Sequence, residues 1–289
     1  MKSHGFTKIL LATDGSDQAN AASGVARAFA HGSGAAVRVV HIWNLEVHHR
    51  HGVWDVEMRS EAERLINKAV SRLRAAGVEA DGEIVRADGG HVAAALTAAA
   101  RQFGADLMVV GSRGLSDWRS MIEHSTSHEL LSTADCPLLV VRSTTTSAHH
   151  DAQRVLLAVA GGDDVVPAVH AAVAAAAAPG SEVMVAHVKQ SIVGFQGFAY
   201  VEPEDEIRVT MEKAIAQLKA AGITAQTVVA HAGPVAQTVA ELAANWNADV
   251  IVLGSRGMGD LGSLMLGSVT HELLRTTTVP VLIAERVRP

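Results

Sequence analysis

The sequence predicts an α/β protein built from two tandem doubly wound domains. Three observations predict it: the chain repeats itself, each half alternates short β-branched runs with helical stretches, and the apolar residues are almost all aliphatic. The repeat is direct. "ADLMVVGSRG" (105–114) returns as "ADVIVLGSRG" (248–257), and the same offset carries Ser125 onto Ser268, "SHELL" (127–131) onto "THELL" (270–274) and Pro137 onto Pro280. Near the start of each half, "KILLATDGSD" (8–17) aligns with "RVLLAVAGGD" (154–163), and "VRVVHIW" (37–43) with "VMVAHVK" (183–189). Self-similarity at a fixed period marks duplicated structural units. A chain of 289 residues divides comfortably into two such units, each within the usual size of roughly 100–200 residues. With 48% hydrophobic but only 3% aromatic residues, each core must be made of Ala, Val, Leu and Ile. That composition suits helices packed closely on a sheet better than a β-sandwich.

The elements follow in order. Strands are expected at 8–13, 36–42, 81–86, 106–110 and 137–142, with helices near 17–31, 57–76, 91–103 and 124–132, and the second half follows suit. Strands that read as continuous apolar runs between helices imply a parallel sheet covered on both faces. "RAAGVEA" and "KAAGITA" place Gly77 and Gly222 just past a helix end, where the backbone turns left-handed. Between the halves, "STTTSAHHDA" (143–152) is small, polar and without apolar periodicity, which reads as a linker. The expected organisation is therefore a domain over 1–143, a linker over 144–152 and a domain over 153–289. Ligands of such sheets bind at the carboxyl ends of the strands, where strand order reverses.

Charge and composition exclude several function classes. A formal net charge of -6 leaves no cationic surplus to neutralise the phosphates of a duplex, so nucleic acid is not the expected partner. The N-terminal "MKSHGFTKILLATDG" runs straight into a strand without a signal-peptide core. The alanine-rich "AVHAAVAAAAAPG" (168–180) is weakly apolar and holds His170, so it reads as a packed helix and not a membrane span. The expected location is the cytoplasm. The single Cys136, before Pro137 at a strand start, is expected to be a buried structural thiol.

Chemistry concentrates in the segment "GSRGMGDLGSLMLGS" (254–268), which follows one strand and leads into a helix. Its spacing is Gly254-x2-Gly257-x9-Gly267-Ser268. Glycine at these places lets backbone N–H groups approach an anion with no Cβ in the way, and Ser268 opens a helix whose positive end faces the same point. Arg256 adds a formal charge. Taken alone, the segment reads equally as a phosphate cradle or as a structural turn.

Together with "ILLATDGSD" at the first strand and the terminal "CPLLVV" and "VPVLIA", this spacing resembles the universal stress protein family, in its tandem form. The resemblance covers nearly the whole chain apart from the linker and the loops after each second strand. It implies a five-stranded parallel sheet per domain, Rossmann-like and akin to the adenine nucleotide alpha hydrolases, with ATP bound by the glycine loop. In the second half it implies phosphate contacts from Gly257, Gly267, Ser268, Val269 and Thr270, ribose beside Gly254, and adenine near Val188. In the first half the matching positions are Gly111, Arg113, Gly114, Ser125, Thr126 and Ser127, with Ile42 by the base. The family's nucleoside-contacting aspartate is Asp14 in the first half but Ala160 in the second, and the last loop glycine is Gly267 in the second half but His124 in the first. Each half thus departs at a different part of the site, and one nucleotide per chain is as consistent with the sequence as two. The second half is the better phosphate site.

Other residues attract attention. His48, His49 and His51 lie in "EVHHRHGVW" without the spacing of a metal site. His41 and His187 repeat at the end of the second strand, which points to a shared structural role. His128-Glu129 and His271-Glu272 recur only as "HEL", without the second histidine of a zinc-protease motif. "GFQGFAY" (194–200) gathers aromatics in a loop, as packing, lid or partner surface. No Gly-x-Ser-x-Gly elbow, Walker lysine motif or paired acids occur, and no catalytic or metal residue is assigned. ATP, with or without Mg, is the expected ligand and cyclic AMP the alternative; binding is favoured over turnover. A nucleotide-independent scaffold and a slow ATP hydrolase are the rival readings. The terminal strands are apolar enough to pair edge to edge, within the chain or across a homodimer.

Overall fold

The computed structural model describes residues 5–48, 52–55, 59–88, 91–112, 126–142, 153–160, 165–189, 191–194, 197–200, 203–231, 233–254 and 268–284. The chain divides into two compact units, one spanning Phe6–His149 and the other built mainly from His150–Pro289. The first unit runs β1 (Lys8–Ala12), α1 (Asp17–Ser33), β2 (Ala36–His48), β3 (Gly52–Asp55), α2 (Arg59–Ala75), β4 (Ala80–Asp88), α3 (Val92–Phe103), β5 (Leu107–Ser112), α4 (Thr126–Thr133) and β6 (Leu138–Arg142). The second runs β7 (Arg154–Ala158), α5 (Val166–Ala175), β8 (Glu182–Lys189), β9 (Ser191–Gly194), β10 (Gly197–Tyr200), α6 (Glu204–Ala220), β11 (Thr224–His231), α7 (Val235–Asn245), β12 (Val250–Leu253), α8 (Ser268–Thr276) and β13 (Val281–Ile283).

In the first unit five parallel strands lie in the order β4-β2-β1-β5-β6, and in the second in the order β11-β8-β7-β12-β13. The first strand of each unit is central. Ile9, Leu10 and Leu11 are 0% exposed, as are Val155, Leu156 and Leu157, because helices cover both faces of a parallel sheet. Small residues make this covering close: α1 buries Ala19, Ala22, Val25, Ala26, Ala28, Phe29 and Ala30. Each chain trace steps outward through two strands and then crosses the central strand. Strand order therefore reverses between β1 and β5, and between β7 and β12.

At the opposite end of the sheet, a repeated aspartate closes each unit. The Asp106 carboxylate accepts from Thr7 N (2.8 Å), Thr7 Oγ1 (2.7 Å) and Lys8 N (2.9 Å), and Asp106 N donates to Lys8 O at 2.9 Å. Asp249 does the same for Arg154, accepting from its N–H and donating to its carbonyl, both at 2.8 Å. These bonds fix the register of the central strand against its neighbour. Beside them, Arg38 on β2 holds Asp81 on β4 through Nε–Oδ1 and Nη2–Oδ2 bonds of 2.9 and 2.6 Å, and its guanidinium lies 4.5 Å from the Phe103 ring centre.

The structure differs from the expectation after the second strand of each unit. β2 extends to His48 and turns back antiparallel as β3, with His48 opposite Gly52. The "GFQGFAY" segment contributes β10, paired antiparallel with β9 in a two-stranded sheet of its own. Strands of four residues are too short to show a reliable period in sequence. His49, His51 and the linker 144–152 lie outside the described residues. Cys136 is buried at 8% exposure, and among the described residues no helix is long and apolar enough to cross a membrane.

Gly77 and Gly222 take the left-handed conformation, with φ of +79° and +77°. At the end of α3 the same conformation falls to Gly104, but at the matching end of α7 it falls to Asn247, with φ of +54°. Asn is the side chain that tolerates this region best. Asn247→Gly is expected to preserve or raise the thermal midpoint, whereas Asn247→Val should lower stability by about 1–2 kcal/mol; urea denaturation measures both.

The Arg38 hydrogen bond holds the Asp81 carboxyl below its usual pKa. Its contribution is complete above the ordinary aspartate value and disappears as pH falls through the lower folded value. Asp81→Asn should cost about 1 kcal/mol or less at neutral pH, since the pair is partly exposed and screened. The difference from the unsubstituted chain should begin to shrink below about pH 4 and vanish only below the lower folded value, as read from urea midpoints.

Candidate functional site

The reversal of strand order opens a crevice at the carboxyl ends of β1 and β5, and another at those of β7 and β12. In the first unit, β1 leads into Thr13-Asp14-Gly15-Ser16. Asp14 is exposed, and its Oδ1 accepts from Ser16 N at 3.0 Å and from the Ser16 hydroxyl. Ser16 Oγ in turn accepts from Ala19 N at 3.2 Å and caps α1. Gly15 has φ of +78°, and an added Cβ would meet Leu65 Cδ2 at 2.5 Å. The acid at the strand end therefore shapes the turn that starts the helix. In the second unit the position of Asp14 is taken by Ala160, which is half-buried.

Both crevices share a histidine tie. His41 Nδ1 lies 2.8 Å from Thr13 O, and His187 Nδ1 lies 2.9 Å from Val159 O. A carbonyl only accepts, so Nδ1 carries the proton in both rings. The tied residues also pair through their amides, Thr13 N with Val40 O and Val159 N with Ala186 O, each at 2.9 Å. His41 and His187 are buried at 5% and 2% exposure. This is the shared structural role that their repetition predicts: they fix the end of the central strand against the second strand. Each holds in place the next residue of its strand, Ile42 (half-buried) or Val188 (5% exposed), the positions assigned to the base.

The other wall separates the two units. A Cβ on Gly111 would lie 2.7 Å from Gln18 C, 2.8 Å from Gln18 O and 2.9 Å from Ala19 N, all backbone of the first turn of α1. Gly111 is thus a packing glycine. At the matching Gly254 no described atom lies within 4 Å of the added Cβ. Among the described residues, no helix backs this strand end as α1 backs Gly111.

Beyond the strands, α8 begins with Ser268 exposed, Val269 half-buried and Thr270 buried at 3% exposure. Thr270 is thus the buried residue of this first turn. Thr126 and Ser127 begin α4 in the first unit. Arg113, Gly114, Ser125, Arg256, Gly257 and Gly267, with His124, lie outside the described residues. Glu272 is paired with Arg275 through Nε–Oε2 at 3.0 Å and through a second contact between Arg275 Nη2 and Glu272 Oε1. The Arg275 hydrogen bond holds its carboxyl below the usual range, so Glu272 of the second "HEL" pairs within its own helix. Among the described residues no cluster of three or more His, Cys, Asp or Glu is placed to hold a metal ion.

Sequence reading passed over three features. The Asp106 and Asp249 staples were visible only as a repeated "AD" before a strand. Ser16 was visible as a cap signal after Asp14. Lys189 follows Val188, is 11% exposed in its side chain, and donates from Nζ to Glu204 Oε1 at 2.7 Å; its signal is that Trp43 stands at the matching place.

A family model described as "Universal stress protein family" matches residues 5–142 and again 152–285. The chain belongs to the universal stress protein family. A universal stress protein of Thermus aquaticus is 33% identical over 138 residues, covering 47% of this chain and 99% of the relative. The universal stress protein YxiE of Bacillus subtilis is 36% identical over 118 residues, covering 36% of this chain and 78% of the relative. The crystal structure of a universal stress protein from Archaeoglobus fulgidus superimposes with a TM-score of 0.71 at 21% identity, covering 96% of this chain and 98% of that one. That last likeness is one of fold. The double match makes this chain a tandem universal stress protein, with both units in the Rossmann-like α/β fold.

The two strand-end glycines should respond differently to a methyl group. Gly111→Ala forces the α1 backbone away and should cost about 1–3 kcal/mol, whereas Gly254→Ala should stay within about 0.5 kcal/mol. Paired urea titrations compare them.

Proposed function

We propose that this universal stress protein binds an adenine nucleotide, ATP foremost, in the crevice of its second unit, and works as a binding and regulatory module. The observation that carries the reading is Gly254: a strand-end glycine at the strand-order reversal, with no described atom within 4 Å on its Cβ side. The sequence then runs through Gly257 and Gly267 to the exposed Ser268 at the start of α8. Backbone amides and the helix end supply the positive potential for phosphates, and Arg256 adds a charge. Val188 provides an apolar floor for the base, held by the His187 tie. This residue set fits a nucleotide whose phosphates meet mostly backbone, which suits a chain with a net negative charge.

The rival crevice is built differently. In the first unit Asp14 keeps the carboxylate that a nucleoside would use, but Gly111 is packed on α1 and His124 stands in place of the last loop glycine. In the second unit Ala160 forgoes that charged hydrogen bond, on the order of 1–3 kcal/mol. Loss of one bond weakens a site, whereas a side chain in a phosphate cradle removes it. One nucleotide per chain, in the second unit, follows from this comparison. The chemistry offered is binding: no lysine of Walker type, paired acids or assigned base accompanies the loop. The site lies in the cytoplasm by the same reading, and the terminal strands 137–142 and 280–284 serve domain or subunit pairing.

Calorimetric titration of the full chain with ATP and with cyclic AMP tests the proposal. One equivalent of ATP should bind, and Gly267→His should weaken it at least tenfold while leaving the fold intact by circular dichroism. Undiminished affinity in that variant removes the loop assignment, and absence of any nucleotide binding favours the scaffold reading. His124→Gly should add or strengthen a site in the first unit, seen as a rise in stoichiometry.

A further inference from the structure

The duplicated sheets end differently on the side of their third parallel strand. In the first unit this edge is β4, which carries Asp81, Glu83 and Arg86. In the second unit it is β11, Thr224–His231, reading TAQTVVAH, with no Asp, Glu, Lys, Arg or Pro. Among the described residues β11 pairs with β8 alone. Every residue from Thr224 to Ala230 is exposed or half-exposed, and Val229, at 37%, is among the large apolar side chains that the described surface exposes. Natural sheet edges are protected from pairing by charges, proline or bulges. The β4 edge has such charges and the β11 edge lacks them. An uncharged edge rich in Thr and Val, with a row of outward backbone donors and acceptors, is a template for strand addition.

We propose that the Thr224–Ala230 edge of β11 joins two copies of this chain by antiparallel strand addition, extending the sheet of one second unit into that of the other. Symmetry restricts the register. Antiparallel pairs alternate between bonded and non-bonded types, so a two-fold axis must fall on a residue that faces its own copy. With the axis on Thr227, Thr227 meets Thr227, Gln226 meets Val228, Ala225 meets Val229 and Thr224 meets Ala230. No charge faces a like charge, no proline interrupts the ladder, and Thr–Thr and β-branched pairs of this kind are favourable. The chain as a whole carries a net charge of -6, which opposes self-approach, and an uncharged edge is where that opposition is weakest. A single added strand buries less than the roughly 1,200 Å² of a standard stable interface, so the dimer is concentration-dependent. The contact is independent of the terminal strands and of nucleotide binding.

Sedimentation equilibrium of the full chain, with disulfide trapping, tests this. The unsubstituted chain should pass from monomer to dimer as concentration rises, and Thr227→Lys should weaken the dimer at least tenfold with an unchanged circular dichroism melt. In a Cys136→Ala background, Thr227→Cys should form an intermolecular disulfide under mild oxidation, whereas Glu83→Cys on the β4 edge should not. If Thr227→Lys fails to fold, the trapping comparison decides alone. A chain that stays monomeric at every concentration, whether or not an extended peptide from another protein adds to the edge, overturns the proposal. So does a dimer that survives Thr227→Lys and gives no disulfide at Thr227→Cys, because it forms through another surface.

Discussion

The architecture of each unit depends on one constraint, a central strand buried on both faces. Ile9, Leu10 and Leu11, like Val155, Leu156 and Leu157, have no exposure at all. Such a strand must hydrogen-bond on both edges and be covered by helices above and below, since nothing else satisfies its backbone and hides its side chains. Parallel neighbours reached by helical crossovers meet both demands, and filling both sides of the first strand forces a reversal of strand order. The crevice is a by-product of burying that strand. Its floor is made firm by the histidine that ties the strand end to the second strand, and its far end by the aspartate that staples the strand start.

Duplication turns the chain into its own control. Elements common to both units, namely the histidine tie, the aspartate staple and the strand order, are those the fold requires. Features that differ distinguish the units. Gly111 is held against α1, while no described atom lies within 4 Å of a Cβ at Gly254; Asp14 shapes a helix cap where Ala160 forms no such bond. The charged β4 edge and the uncharged β11 edge differ in the same way. Among the described residues, the strand-end glycine of the first unit is packed against a helix and that of the second is not.

A site made from glycine spacing and a helix end has a particular economy. Backbone amides cannot be titrated and need no counter-charge, so an acidic protein can bind an anion without a cationic patch. The same construction supplies little with which to move a proton or stabilise a leaving group. That is why the proposed function is recognition and not turnover.

The order of elements, the parallel sheets, the duplication, and the glycine caps at Gly77 and Gly222 were legible in sequence, because periodicity, turn chemistry and repeats are local signals. The candidate site was legible as spacing, through the series Gly254, Gly257, Gly267 and Ser268. Only the tertiary structure decided that Gly111 is a packing residue, since that turns on whether the α1 backbone comes within 3 Å of its Cβ position. It also decided that Thr270 is buried, that Asp106 and Asp249 are structural, that Asn247 stands in for a glycine, and that β11 leaves an uncharged edge. Sequence determines what each segment tends to become. Closure of the sheet, which brings Thr7 to Asp106 and Arg154 to Asp249 from far apart in the chain, determines what each residue then meets.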